Sequence, residues 1–188
     1  MKERLKVWLF PLMTAFVITA CSNNDGDVWT PELDMDPAQD YNGITVKFET
    51  LNMDGIAVNS FREGENIIFS LTITNNREQQ ISLPHVKDMF GDIAFPVYSE
   101  NNEEIGVAGR YVRTWSLDIP RLSTGRSFII RYPWYMTDQN LPGLTAYYSF
   151  FVKDNPGQSL RKGKYYSEFE FFLEEGQKVV CRKDFRVE

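Results

Sequence analysis

From Gly43 to the C-terminus the sequence alternates apolar and polar residues with a period of two, and no window of ten or more residues carries a convincing 3.6-residue apolar period. Period two marks strands with one dry and one wet face, whereas parallel α/β folds need helical crossovers. Ile44, Val46 and Phe48 alternate with Thr45, Lys47 and Glu49 before the turn Asn52-Met53-Asp54-Gly55. After a second turn at Arg62-Glu63-Gly64-Glu65, Ile67, Phe69, Leu71 and Ile73 form another stripe, stopped by Asn75-Asn76. Ile81 to Leu83 is a short candidate ended by Pro84, and Ile93 to Tyr98 contains Pro96, which sends that strand to an edge or a bulge.

Tyr111 to Leu117, Ser127 to Tyr132, Ala146 to Lys153, Tyr165 to Leu173 and Val179 to Val187 complete the expected strands. The last two make the clearest hairpin, with Phe169, Phe171 and Leu173 on one face, Glu168 and Glu170 on the other, and Glu174-Glu175-Gly176-Gln177 as the joint. Cys181 shares its face with Val179, Phe185 and Val187, so its thiol is expected to pack rather than react. One or two helical turns around Tyr135 to Leu141 are the best helical candidate. The expected fold is all-β, an antiparallel immunoglobulin-like β-sandwich of about 7–9 strands, with a barrel as rival.

The N-terminus is of another kind. Lys2, Arg4 and Lys6 precede an apolar run from Val7 to Ala20, too short to span a bilayer comfortably, since about 20 apolar residues are needed. A basic start, a short apolar stretch and small residues at its end make a secretory signal peptide, residues 1–20. Ile18-Thr19-Ala20-Cys21 resembles the lipobox of bacterial lipoproteins. That resemblance implies that Cys21 takes the lipid, becomes the mature N-terminus and ties the protein to a membrane. Ser22-Asn23-Asn24-Asp25-Gly26-Asp27 resembles the surface-export signals of Bacteroidetes lipoproteins, and it reads equally well as a plain solvated linker. The implied location is the bacterial outer membrane, with exposure at the cell surface left open. Residues 21–42, broken by Pro31 and Pro37, are read as a flexible tether, and residues 43–188 as the folded domain.

The chain has 188 residues and a formal charge of -6; losing Lys2, Glu3, Arg4 and Lys6 with the signal peptide takes it to -8. Phosphate binding wants clustered Lys and Arg, so no nucleic-acid partner is expected. With Cys21 consumed by lipid, Cys181 has no intrachain partner.

Gly64 to Asn76 with Ile81-Ser82-Leu83-Pro84, then Leu122 to Phe128 and Lys162 to Tyr166, look like the turn-and-strand pieces of bacterial immunoglobulin-like modules, including the family of the Bacillus intracellular proteinase inhibitor. The match covers about a third of the domain and implies architecture rather than chemistry. A proteinase-inhibiting module is one alternative function that it implies, although no reactive loop is evident. A small carbohydrate-active enzyme is another alternative, but no carboxylate pair stands out.

His85 is the single histidine, lies near Ser82 and Asp88 without a nucleophile context, and reads as a surface-loop residue. Zinc would need three or four ligands where the mature chain offers His85 and Cys181. Asp34, Asp36 and Asp40 resemble calcium-loop oxygens loosely, lack the glycine and closing Glu of that loop, and read better as a solvated acidic stretch. No catalytic residue, metal or cofactor is therefore expected. The remaining signal is aromatic. Trp134, Tyr135, Tyr147, Tyr148 and Tyr166 are candidate contacts for a glycan or a protein partner, because adjacent aromatics on a strand cannot both point inward. One of Tyr147 and Tyr148, and one of Tyr165 and Tyr166, is thus expected on the outer face. The expected function is a non-catalytic binding or assembly module.

Overall fold

The computed structural model describes residues 29–111, 121–134, 151–153 and 158–188. The body described is the compact unit Pro31–Glu188. Its strands, in chain order, are β1 (Gln39–Tyr41), β2 (Ile44–Leu51), β3 (Ser60–Phe61), β4 (Ile68–Asn75), β5 (Ile81–Ser82), β6 (Ile93–Ser99), β7 (Glu104–Tyr111), β8 (Arg121–Leu122), β9 (Ser127–Pro133), β10 (Phe151–Lys153), β11 (Gly163–Phe172) and β12 (Lys178–Val187). Among the described residues one α-helix, α1 (Val86–Phe90), lies between β5 and β6, and a 3-10 turn, Glu174–Gly176, joins β11 to β12. The fold is all-β. Seven of the strands run seven residues or more, and the other five hold two or three.

Four strands form one sheet in the order β1-β2-β4-β9, six form a second in the order β10-β7-β6-β11-β12-β3, and β5 pairs with β8. Every pairing is antiparallel except the short parallel match of β3 to β12. The alternation read from the sequence is what buries one face of each sheet. In β2, Ile44, Val46 and Phe48 are buried; in β4, Phe69, Leu71 and Ile73; in β9, Phe128, Ile130 and Tyr132. Opposite them stand Phe95 and Val97 of β6, Phe171 of β11, and Val179, Phe185 and Val187 of β12. Rings from both sheets meet in the middle: Phe95 stacks on Phe48 at 5.7 Å and on Phe69 at 5.6 Å, and Phe185 meets Phe69 edge-on at 5.9 Å. Burying a phenylalanine contributes about 1.5–3 kcal/mol, so this cluster is the main adhesive between the sheets.

Local irregularities have local causes. Pro96 sits in a central strand of its sheet, not at an edge, and the expected irregularity is present as a register shift between Val97 and Tyr98. The β6 ladder to β11 stops at Val97, beside the proline that has no N–H to give. Helix α1 buries Val86, Met89 and Phe90, and Phe90 reaches Phe95 and Phe169, both at 4.9 Å. His85, half-buried, ends the loop before this helix as its N-cap residue. Strand β7 was not among the expected segments, and its Gly109 is required: a Cβ there would lie 2.7 Å from the ring of Tyr132 on β9. Of the expected strand at Tyr111 to Leu117 only Tyr111, in β7, is described; of Ala146 to Lys153 only Phe151–Lys153, in β10. The helical candidate at 135–141 lies outside the described residues.

The structured body begins upstream of Gly43. Asn42 and Gly43 have φ of 53° and 81°, the left-handed pair that a two-residue hairpin needs, and they fold Gln39–Tyr41 back onto β2. Farther upstream the Asn59 N–H donates to the Glu32 carbonyl at 2.7 Å, Leu33 bridges Val58, and the Asp34 N–H donates to the Ala57 carbonyl at 3.0 Å. Within the segment read as a tether, residues 32–41 are thus a strap along the body, because their backbone groups find partners there.

Candidate functional site

The β11–β12 hairpin presents two faces of opposite character. Strand pleating turns Tyr165, Ser167, Phe169 and Phe171 inward and sends Tyr166, Glu168 and Glu170 outward. Of the adjacent tyrosines, Tyr165 stacks on Phe185 at 5.9 Å and Tyr166 points out, so one ring of that pair faces solvent as the alternation requires.

On the outer face Tyr98 of β6, Tyr166 of β11 and Arg182 of β12 lie across three neighbouring strands. The Tyr98 and Tyr166 rings stack at 5.1 Å, and the Arg182 guanidinium sits 3.9 Å from the Tyr166 centroid. Because β11 runs between β6 and β12, both faces of Tyr166 are occupied. Tyr166 therefore cannot be the flat platform for a sugar ring that its sequence position suggested. Its hydroxyl donates to Asn102 Oδ1 at 2.9 Å. Arg182 also bonds Asp184 at 2.9 Å and Glu168 at 3.1 Å, and these carboxylates hold its guanidinium protonated beyond its usual range. Desolvation, then the nearby Glu104, raises the Tyr98 hydroxyl above its ordinary pKa.

Beside this stack a groove of about 430 Å³ opens between the β6–β7 turn, the β11–β12 face and the strap. Lys164 and Arg186, which line it, stand directly opposite in the ladder, where like charges repel. Arg186 is offset by Glu32 at 3.0 Å and by Glu188, while Lys164 has no ion pair among the described residues. Glu100, Asn102 and Asp184 add hydrogen-bonding groups to the rim. This arrangement suits a polar partner gripped by hydrogen bonds and paired charges.

The inner face carries a residue that the sequence reading passed over. Lys183 falls in the stripe Val179, Cys181, Lys183, Phe185, Val187 and is only 1% exposed. Its ammonium bonds Asp34 at 2.7 Å and Asp36 at 2.6 Å. Asp34 is buried, and its Oδ2 has no hydrogen-bond partner. The acidic run Asp34, Asp36, Asp40 is thus no merely solvated stretch, for two of its carboxylates hold a cation belonging to the chain itself. The signal was a lysine at an inward position of an apolar stripe. Cys181 lies two residues before it, and burial pushes its thiol up to about 12. That thiol is packed and unreactive at neutral pH.

Trp134 corrects another expectation. It is 1% exposed and meets Phe69 edge-on at 6.4 Å, so it belongs to the core rather than to a contact surface. The reason is its position, where its backbone N–H continues the β4 edge by donating to the Ile67 carbonyl at 2.7 Å. Tyr135, Tyr147, Tyr148 and Cys21 lie outside the described residues. Among the described residues no three His, Cys, Asp or Glu side chains group so as to hold a metal ion, and no helix is long and apolar enough to cross a membrane.

No family model matches the chain, and no curated protein matches it. Among solved structures it is similar to one described as the X-ray structure of Northeast Structural Genomics Consortium target SoR45, at 20% identity over 78% of this chain and 86% of that one. The TM-score is 0.31, too slight a likeness to bear on fold or function.

Proposed function

We propose that this chain is a bacterial lipoprotein held at the outer membrane by acyl chains on Cys21, and that its immunoglobulin-like body is a non-catalytic binding or assembly module. The observation that carries the reading is Ile18-Thr19-Ala20-Cys21 placed directly behind a basic start and a short apolar run. Several acyl chains anchor stably where one does not, each buried CH₂ contributing about 0.8 kcal/mol. The binding face is the groove beside the Tyr98–Tyr166–Arg182 stack, whose Lys164, Arg186, Asn102 and Asp184 would grip a polar protein surface or glycan.

Mass spectrometry of the protein recovered from membranes tests the anchor: the first residue should be Cys21 carrying acyl mass, and an unmodified thiol there removes the reading. The groove is tested with the mature chain 21–188 on a glycan array and in membrane pull-downs. Lys164→Glu with Arg186→Glu should abolish capture of whatever the wild-type chain retains. Retention unchanged by that double substitution would move the binding face elsewhere.

A further inference from the structure

The strap that enters the body from the Cys21 side carries an apolar patch that the fold leaves uncovered. Six large apolar side chains among the described residues are exposed, and three of them belong to the strap or to the segment it pairs with: Leu33, Met35 and Ile56. Leu33 bridges Val58 and the Asp34 N–H reaches the Ala57 carbonyl, so Met35 and Ile56 are the next residues of two segments that are paired just before them. Met35 is 83% exposed, Leu33 56% and Ile56 49%. A methionine so bare costs solubility and contributes nothing to the core.

We propose that Leu33, Met35 and Ile56 form a seat that rests in the headgroup region of the bilayer and orients the body on the membrane. This inference rests on the lipoprotein reading of Cys21. Leu33 stands 12 residues after Cys21, a span of about 40 Å at most when fully extended. A patch of three side chains is too small to hold a free domain on a membrane. A short tether turns the second contact into an intramolecular event, with an effective concentration in the millimolar range, so a weak contact is enough. Charge fits a zwitterionic surface better than an anionic one, since the mature chain carries -8. Two carboxylates flanking the patch are already paired, Glu32 with Arg186 and Asp36 with Lys183, which reduces what they would cost near lipid.

The test uses Met35 as its own reporter. Hydrogen peroxide transfers one oxygen to an accessible thioether, giving sulfoxide and water, and peptide mass spectrometry reads the rate at each methionine. The cell-made protein is reconstituted in phosphatidylcholine vesicles and compared with the same mature chain, bearing an unmodified Cys21, mixed with the same vesicles. Met35 should oxidise several-fold more slowly in the acylated protein, with buried Met89 protected in both as a check on folding. Ile56→Asp, a surface change that leaves acylation intact, should restore fast oxidation of Met35. Equal rates in the two samples, with the acyl mass on Cys21 confirmed, overturn the seat and leave the anchor standing. Protection that appears in whole cells but not in vesicles also overturns it, in favour of a protein partner. Cell-made protein without acyl mass overturns the lipoprotein reading itself, and the seat with it.

Discussion

Arg182 and Lys183 are consecutive residues of one strand, both cationic and both paired with two carboxylates, yet they stand on opposite sides of the sheet. Arg182 faces water with 46% of its side chain exposed, bonded to Glu168 and Asp184 and laid over Tyr166. Lys183 faces the core, where it is paired with buried Asp34, and its ammonium also reaches the exposed carboxylate of Asp36. Counted by contacts, Arg182 is the richer. Counted by consequence it is the poorer, because water and salt screen an exposed pair while a buried charge that loses its partner cannot recover its hydration. The pleat, by deciding which neighbour of the chain meets water, sets the energetic value of each pair.

The sharpest way to break this comparison is Lys183→Met. It leaves the buried Asp34 without its cation, and removing one partner of a buried pair costs about 3–5 kcal/mol. Urea unfolding should show that loss in full. Adding Asp34→Leu should return most of it, since replacing both members of a buried pair by apolar residues is often neutral or stabilising. If the single variant melts within error of wild type, Lys183 is not the keystone of the strap.

That strap is also where reading the sequence fell short, and the reasons are physical. Long strands announce themselves through repeated alternation: β2, β4, β11 and β12 offer four or more inward positions each, and their apolar stripes lie inward as the pattern implies, although in β4 Ser70 on the other face is buried too. β1 spans three residues, too few for any period, although Asn42-Gly43 was a hairpin signal in plain view. β7 was hidden because Gly106 and Gly109 dilute its pattern, and Gly109 is glycine for a tertiary reason, the ring of Tyr132. One of Tyr165 and Tyr166 was read as outward, and it is Tyr166; the loss of both its faces to Tyr98 and Arg182 depends on strand order, which no local pattern encodes.

Gly109→Ala probes the inner faces without touching a charge. The new Cβ would press on Tyr132, which is 1% exposed and has nowhere to move. Overpacking of this kind costs about 1–3 kcal/mol, so the variant should fold with a lower urea midpoint and an unchanged slope. Unaltered stability would mean that the sheets have slack between β7 and β9.

Titration of the inner stripe of β12 gives an effect that is absent at neutral pH and small at the onset of the alkaline range. Burial raises the Cys181 thiol from 9.0 to about 12 in the folded protein. Between those values the unfolded chain loses its proton and the folded one keeps it, so stability is intact below pH 9 and falls as pH rises, by about 1.4 kcal/mol per pH unit at most. Tyr41, Tyr98 and Tyr165, also raised chiefly by desolvation, add in the same direction. Cys181→Ala should flatten the alkaline slope of unfolding free energy against pH. An identical slope would assign the effect to the tyrosines alone.

Arg182→Ala should have the smallest effect of all, and its smallness is what the comparison demands. The variant removes two ion pairs and a cation–π contact from the outer face, but each is exposed to solvent. Exposed pairs contribute about 0.2–1 kcal/mol, less at high salt, and the whole change should stay within about 1 kcal/mol in 0.15 M salt. The substitution also uncovers one face of Tyr166, so the tyrosine fluorescence of the groove offers a readout that stability does not. A loss on the scale of Lys183→Met would mean that the outer stack is part of the architecture, and that the groove beside it is held in shape by Arg182 rather than merely decorated by it.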